Sequence, residues 1–312
     1  MIRLILATKC ISAKSKGITA MKKFLNPHFM LIISMTIFGT LGLFVRNISV
    51  SSAELALYRA VLATLLIGLY LLVTRQKLPF VKIKKEVPLL LASGAAMGVN
   101  WILLFEAYKY TTVSVATLSY YFAPVIVAAA CPFFFNEKLT AKQIFCFVMS
   151  TIGLVLITVT GEIHGENNFI GILFGLGAAF FYASVVLLNK FIKNVESIHR
   201  TFLQFLSAIM VLTPYILVSG TLSLGNIDII GWVNLLIVGL LHTGITYCMY
   251  FYSVKDLPGQ KVAILSYIDP LVAVLISVSI LGEKMTLWQA VGGILILGFT
   301  LWNELTPKIQ KT

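Results

Sequence analysis

Nearly the whole chain is a succession of apolar runs about twenty residues long, joined by short links. No other feature constrains its folding as strongly. The runs cover residues 28–46, 53–73, 88–108, 113–135, 141–160, 169–189, 198–218, 229–251, 259–281 and 287–304. A helix of about 20 apolar residues crosses a bilayer. Unpaired backbone groups in lipid cost several kcal/mol each, so each run must be helical. The sequence therefore predicts an all-α membrane protein with ten transmembrane helices and no inserted soluble domain. Composition agrees. Hydrophobic residues make up 59% of the chain and charged residues 12%, against roughly 45–50% and 25% in soluble domains. The surplus has to face lipid, so the bilayer is the first partner.

The net charge is +12, but it does not point to nucleic acid. Its cations sit in short loops and at the N-terminus, where they orient a membrane protein. With the N-terminus in the cytoplasm, only Arg46, Lys109 and Lys284 fall on the opposite side, and Arg59 lies within the membrane. The predicted location is the inner (cytoplasmic) membrane, multi-pass, with both termini cytoplasmic. Residues 1–27 form a basic arm and 305–312 a short tail. Met21-Lys22-Lys23 stands just before the first apolar run, and Met21 is a candidate start.

Sliding the chain 146 residues along itself without a gap brings like residues together. Phe105 meets Phe251, Tyr121 meets Tyr267, Pro124 meets Pro270, and Thr140 and Gln143 meet Thr286 and Gln289. Residues 28–160 and 161–304 then hold five helices each. Five is odd, so the second half enters the membrane from the other side. Such inverted repeats are typical of transporters.

The paired prolines in each fourth helix, the Glu-Lys-x-Thr turns at 137–140 and 283–286, and the glycine-bearing fifth helices resemble the EamA branch of the drug/metabolite transporter superfamily. The resemblance runs from residue 28 to about 304. Residues 282–286 carry the usual Gly-Glu turn, whereas Asn136 replaces the glycine in the first half. The resemblance implies a cavity lined by helices one to four of each half, with the fifth and tenth at the periphery. It also implies transport, often efflux, of amino acids or related metabolites.

Ionisable groups inside a membrane are costly and are functional candidates by default. Three stand out. Asp269, immediately before Pro270, can bind an amine or carry a proton. Arg59 can grip a carboxylate through two hydrogen bonds, or else snorkel or pair with Glu54 or Asp269. His242 is a lone mid-helix histidine, and such a residue is more often a satisfied structural group than a proton carrier. Each charge occurs in one half only: Ala123 stands opposite Asp269, Ala96 opposite His242, and Gln204 opposite Arg59 at a shift of 145. Residues that read an asymmetric solute need not recur. Asn100, Trp101, Tyr121, Tyr247 and Tyr267 are candidates for stacking on and orienting a small-molecule substrate. Pro124 and Pro270 are candidate hinges, and Glu137 and Glu283 candidate local partners of Lys138 and Lys284.

Cys10, Cys131, Cys146 and Cys248 form no CxxC pair, so neither a disulfide framework nor a metal site is expected. No cofactor is expected either. The sequence contains no GxxxxGK[ST], HExxH or GxSxG motif, which leaves a gradient or a partner as the energy source. The reading is a secondary transporter, with efflux of an amino acid or related compound favoured. Import of a nutrient or cofactor, a membrane-embedded enzyme, and a non-transporting membrane subunit are the alternatives. The oligomeric state is left open.

Overall fold

A computed structural model describes residues 26–76, 83–135, 140–159, 167–219, 227–257 and 265–304. Every regular element among them is helical. The basic arm with Met21, the Asn136–Lys138 turn, residues 259–264 of the ninth run and the tail lie outside the described residues.

Helix starts follow local capping chemistry. Asn26 caps α1 (Pro27–Gly39), its side chain accepting from the His28 amide, with Pro27 in the first turn. Thr40 ends α1, and α2 (Leu41–Val45) follows at once. Ser51 and Glu54 form a reciprocal capping box on α3 (Ser52–Val73), which satisfies two otherwise orphaned amides. A 3₁₀ turn at Lys84–Glu86 leads into α4 (Val87–Tyr110), and Thr112 caps α5 (Val113–Tyr120). Then come α6 (Ala123–Phe135), α7 (Ala141–Val159), α8 (Asn167–Phe191) and α9 (Ser197–Ser219). Asp228 caps α10 (Ile229–Leu236). This helix continues through a π-helical stretch, Ile237–Ile245, into α11 (Thr246–Asp256). The last two helices are α12 (Ile268–Ser279) and α13 (Leu287–Glu304).

The repeated turn owes its recurrence to a cap. Thr140 accepts from the Gln143 amide while the Gln143 side chain accepts from the Thr140 amide, and Thr286 and Gln289 do the same at the start of α13. Glu283 does more than pair locally with Lys284. It forms an ion pair with Arg46 and accepts from the Val113 amide at 2.8 Å and from the Ser277 hydroxyl. Gly282 precedes it at φ +64°, in the left-handed region that favours glycine.

Ten uninterrupted spans are the expectation from sequence. Among the described residues, six helices are long and apolar enough to cross a membrane, and several apolar helices are shorter. The run 113–135 is divided at Tyr121–Phe122, and the ninth run is broken at Tyr267 before α12 begins. Pro124 and Pro270 therefore stand in the first turn of a new segment rather than mid-helix. A missing amide costs nothing there.

Packing arranges these helices in a ring. α4 touches α8, α8 touches α5 and α6, and α5 touches α12. From there α12 packs on α1, α1 on α11, the π-helical stretch on α3, α3 on α9, and α9 returns to α4. Exchanging first-half helices for their second-half counterparts maps this cycle onto itself. α7 and α13 lie against each other outside the ring. Their crossing is close because two glycines face each other: a Cβ added at Gly153 would lie 2.6 Å from the Gly292 carbonyl, and one at Gly292 2.5 Å from the Gly153 carbonyl. Gly153→Leu or Gly292→Leu should therefore lower thermal stability in detergent by about 1–3 kcal/mol, a typical overpacking cost. Gly298→Ala, where an added Cβ meets nothing within 4 Å, should leave the melting temperature unchanged. Thermal-shift measurements on the three variants check this.

Candidate functional site

The ring encloses a cavity of about 430 Å³, within the usual range for small-molecule sites. α1 to α6, α8, α9, α11 and α12 contribute lining residues, as does the short segment before α12; α7 and α13 contribute none. The wall is mainly aromatic. Phe38 meets Tyr247 edge-on at 5.1 Å, Tyr247 meets Phe205 at 5.5 Å, and Phe205 tilts against Trp101 at 5.4 Å. Across the cavity, Tyr120 contacts Tyr121 and Tyr182, and Tyr121 lies 6.4 Å from Tyr267.

Arg59 closes this aromatic series. Its guanidinium carbon lies 4.2 Å from the Trp101 ring centroid and 5.3 Å from that of Phe105. A desolvated cation over an aromatic face gains about 2 kcal/mol or more. The residue is 3% exposed, so it does not snorkel. Its Nε donates to the Thr243 hydroxyl at 3.0 Å, and its buried Nη1 has no hydrogen-bond partner among the described residues. Burying an uncompensated charge is expensive. Arg59 lines the cavity, so an anionic group entering it would meet this cation.

Thr243 reaches Arg59 because its own helix is wound wide. The hydroxyls of Thr243 and Thr246 donate to the carbonyls five residues earlier, Val238 and Leu241, at 2.8 and 2.7 Å. The π-helical stretch thus turns a hydroxyl toward α3. Such stretches often occur at functional sites. Sequence analysis missed Thr243, since an isolated threonine in an apolar run carries no signal.

Asp269 lies on the same cavity in the first turn of α12, not mid-helix. That position places the carboxyl at the positive end of the helix dipole. The Tyr121 hydroxyl donates to its Oδ2 at 2.7 Å and also approaches the Ser266 carbonyl at 3.3 Å. Asn100, Trp101, Tyr121, Tyr247, Tyr267, Gln204 and Pro124 also line the cavity. Asn100 donates to the Ala178 carbonyl at 2.6 Å, joining α4 to α8. Gln204 spans Ser93 and Asn189 at 2.6 and 2.7 Å. Its link from α9 to α4 mirrors the Arg59 link from α3 to the π-helical stretch.

Two candidates fall elsewhere. Pro270 is buried but does not line the cavity. His242 is 1% exposed and turned away from it, with Nε2 at 2.8 Å from the Thr40 hydroxyl, Nδ1 at 3.3 Å from the Ile237 carbonyl, and its ring edge-on to Phe44. The Nε2 contact ties the π-helical stretch to the end of α1, while the Nδ1 contact stays within its own stretch. Tyr108, Tyr182, Tyr250, Asn189 and Arg200 line the cavity and escaped sequence analysis.

The two ends of the ring differ. At one end, Arg46 pairs with Glu283 and donates to the Thr111 carbonyl at 2.8 Å, while Thr111 bonds to Asn168. This cluster sews four connections together, and none of its residues lines the cavity. Near the α8–α9 connection, Asn189 and Arg200 do line it.

Sequence and structure comparisons agree on one relationship. The EamA-like transporter family matches residues 25–159 and again 169–303. An uncharacterized transporter of Bacillus subtilis, YxxF, is 32% identical over 293 residues, covering 92% of this chain and 89% of its own. A Salmonella typhimurium protein described as a probable amino-acid metabolite efflux pump is 26% identical over 264 residues, 80% of this chain and 87% of its own. A crystal structure covering 88% of this chain and 96% of its own superimposes with a TM-score of 0.60 at 16% identity, which marks a shared fold.

If Thr243 holds Arg59, Thr243→Val strands a buried donor and should cost about 1–3 kcal/mol. Thr243→Ser should keep wild-type stability. Equal melting temperatures for the valine and serine variants in detergent would remove the role.

Proposed function

This chain belongs to the EamA-like transporter family, and on that premise we propose that it is a secondary transporter of a small metabolite bearing a carboxylate and an amine, such as an amino acid. The observation that carries this reading is Arg59. A buried guanidinium with an unfilled Nη1 stands on an aromatic wall, and the same cavity holds a carboxyl, Asp269. Arg59 faces the substrate carboxylate. Asp269 faces the amine or carries a coupling proton, with Tyr121 orienting it. Flat or apolar side chains lie against the tyrosines.

We further propose ten spans in two inverted halves, 28–160 and 161–304, working by alternating access. The exchange symmetry of the helix ring supports this arrangement. By the distribution of Lys and Arg, the Arg46–Glu283 end faces outward from the inner membrane, both termini are cytoplasmic, and the cavity faces the cytoplasm. Efflux is the favoured direction, as for the Salmonella relative's described activity; import is the alternative. A membrane-embedded enzyme is disfavoured because Asp269 lines the cavity and His242 does not.

Radiolabelled amino acids and related amines, screened in proteoliposomes with and without a pH gradient, test the reading and report direction. Losing a charge-assisted hydrogen bond costs about 1.5–3 kcal/mol, roughly 10- to 100-fold in apparent affinity. Arg59→Gln should show at least that loss. Asp269→Asn should abolish transport or its pH dependence. Transport that survives both substitutions in folded protein rejects the site.

The sewn end makes a separate prediction. With the native cysteines replaced and Thr117→Cys introduced in the cavity, a membrane-impermeant thiol reagent added outside should label poorly. Arg46→Gln or Glu283→Gln should raise labelling. Unchanged labelling in both single variants would show that this cluster is not the outer gate.

A further inference from the structure

A second groove, about 380 Å³, runs along the outside of the helix ring between α12 and α13. Although consecutive in sequence, these two helices are not among the pairs that pack along their length. Leu118 of α5 forms the floor between them, and the groove extends along α13 from Ala290 to Leu301. At 1.5 Å per residue that is about 17 Å, more than half of a hydrocarbon core of about 30 Å.

We propose that this groove binds one acyl chain of an anionic phospholipid, with the headgroup at the Leu301 end and the chain lying against Tyr267. Four observations lead there. Apart from Tyr267, the lining consists of apolar side chains and glycine, so nothing supplies the two to four polar partners a water needs. The flanking Leu271 and Ile294 are 53% and 70% exposed, on helices apolar enough to lie in lipid. The floor is kept low by glycine: a Cβ at Gly298 meets nothing within 4 Å, so the space beside it belongs to the groove. At the Leu301 end, the next residue, Trp302, carries the Lys142 ammonium 4.7 Å from its ring centroid. Tryptophan and lysine together mark the headgroup depth, and a cation there suits an anionic lipid.

Tyr267 gives the site a consequence. It is the residue that lines both the groove and the central cavity, and it sits at the break before α12, with Tyr121 beside it. A chain in the groove braces that break from the lipid side, so the lipid is a structural ligand of the cavity wall.

Phosphatidylglycerol with a photoactivatable group on its acyl chain tests the site, in nanodiscs of phosphatidylethanolamine and phosphatidylglycerol holding the full chain. Peptide mapping should place several-fold more label on α12 and α13 residues of the groove than on Leu217 and Val218, which are also lipid-exposed. Gly298→Leu should fill the groove and bring its label down to that level, leaving Leu217 and Val218 unchanged. Should that variant fail to fold, Ala290→Leu serves at the same groove. Lys142→Gln should lower labelling by phosphatidylglycerol more than by a matched phosphatidylethanolamine probe. Label spread evenly over all lipid-facing residues, or unaltered by filling the groove, overturns the proposal. So does recovery of crosslinked pairs of chains joined through α13 in place of lipid adducts.

Discussion

The hydrocarbon core offers no water, and the rest of this structure depends on that. Every backbone amide and carbonyl at membrane depth has to find its partner inside the chain. The result is helix throughout the described residues, begun by side chains that cap their own first turns. The same scarcity governs side chains. Polar groups within the bundle bond from one helix to the next, as Gln204 does to Ser93 and Asn189, and Asn100 to the Ala178 carbonyl. Each such bond also fixes which helices are neighbours. The polar contacts between helices and the order of the ring are thus one fact.

Arg59 is where this economy is broken. Its charge is brought deep into the bundle, steadied by a hydroxyl and an aromatic face, and left with a donor unused among the described residues. Without a functional reason, replacing such a group by an apolar one of similar shape is often neutral or stabilising. The widened turn that delivers Thr243 is a further local expense in the same place. Departures from regular structure also gather at the two helix breaks, where Tyr121 and Tyr267 project into the cavity and Asp269 heads a helix. These departures from regular structure therefore gather around the cavity.

His242 is conspicuous in the sequence and yet does not line the cavity. A lone histidine in an apolar run is costly wherever it sits, so sequence alone makes it a candidate. Its two nitrogens instead reach the Thr40 hydroxyl and the Ile237 carbonyl. Glu283 misleads in the opposite direction. It reads as a local turn residue beside Lys284, yet its carboxylate gathers Arg46, Val113 and Ser277 from three other places in the chain. The Thr40, Arg46 and Val113 partners lie far off in sequence, and no local pattern records them.

The sequence by itself determined that the chain is helical, lies in a membrane and repeats its plan, because hydrophobic length, period and matching turns are properties of contiguous residues. It also marked Arg59 and Asp269, since a charge in an apolar run is conspicuous whatever surrounds it. Tertiary structure alone decided which candidates share the cavity. It put Arg59, Asp269, Trp101 and Tyr121 around one space and turned His242 away from it. It also recruited Thr243 and Arg46, which no motif announces. The physical reason is that an apolar helix is nearly uniform around its circumference: with no polar face to mark the inside, the inward side is chosen by the neighbours it packs against.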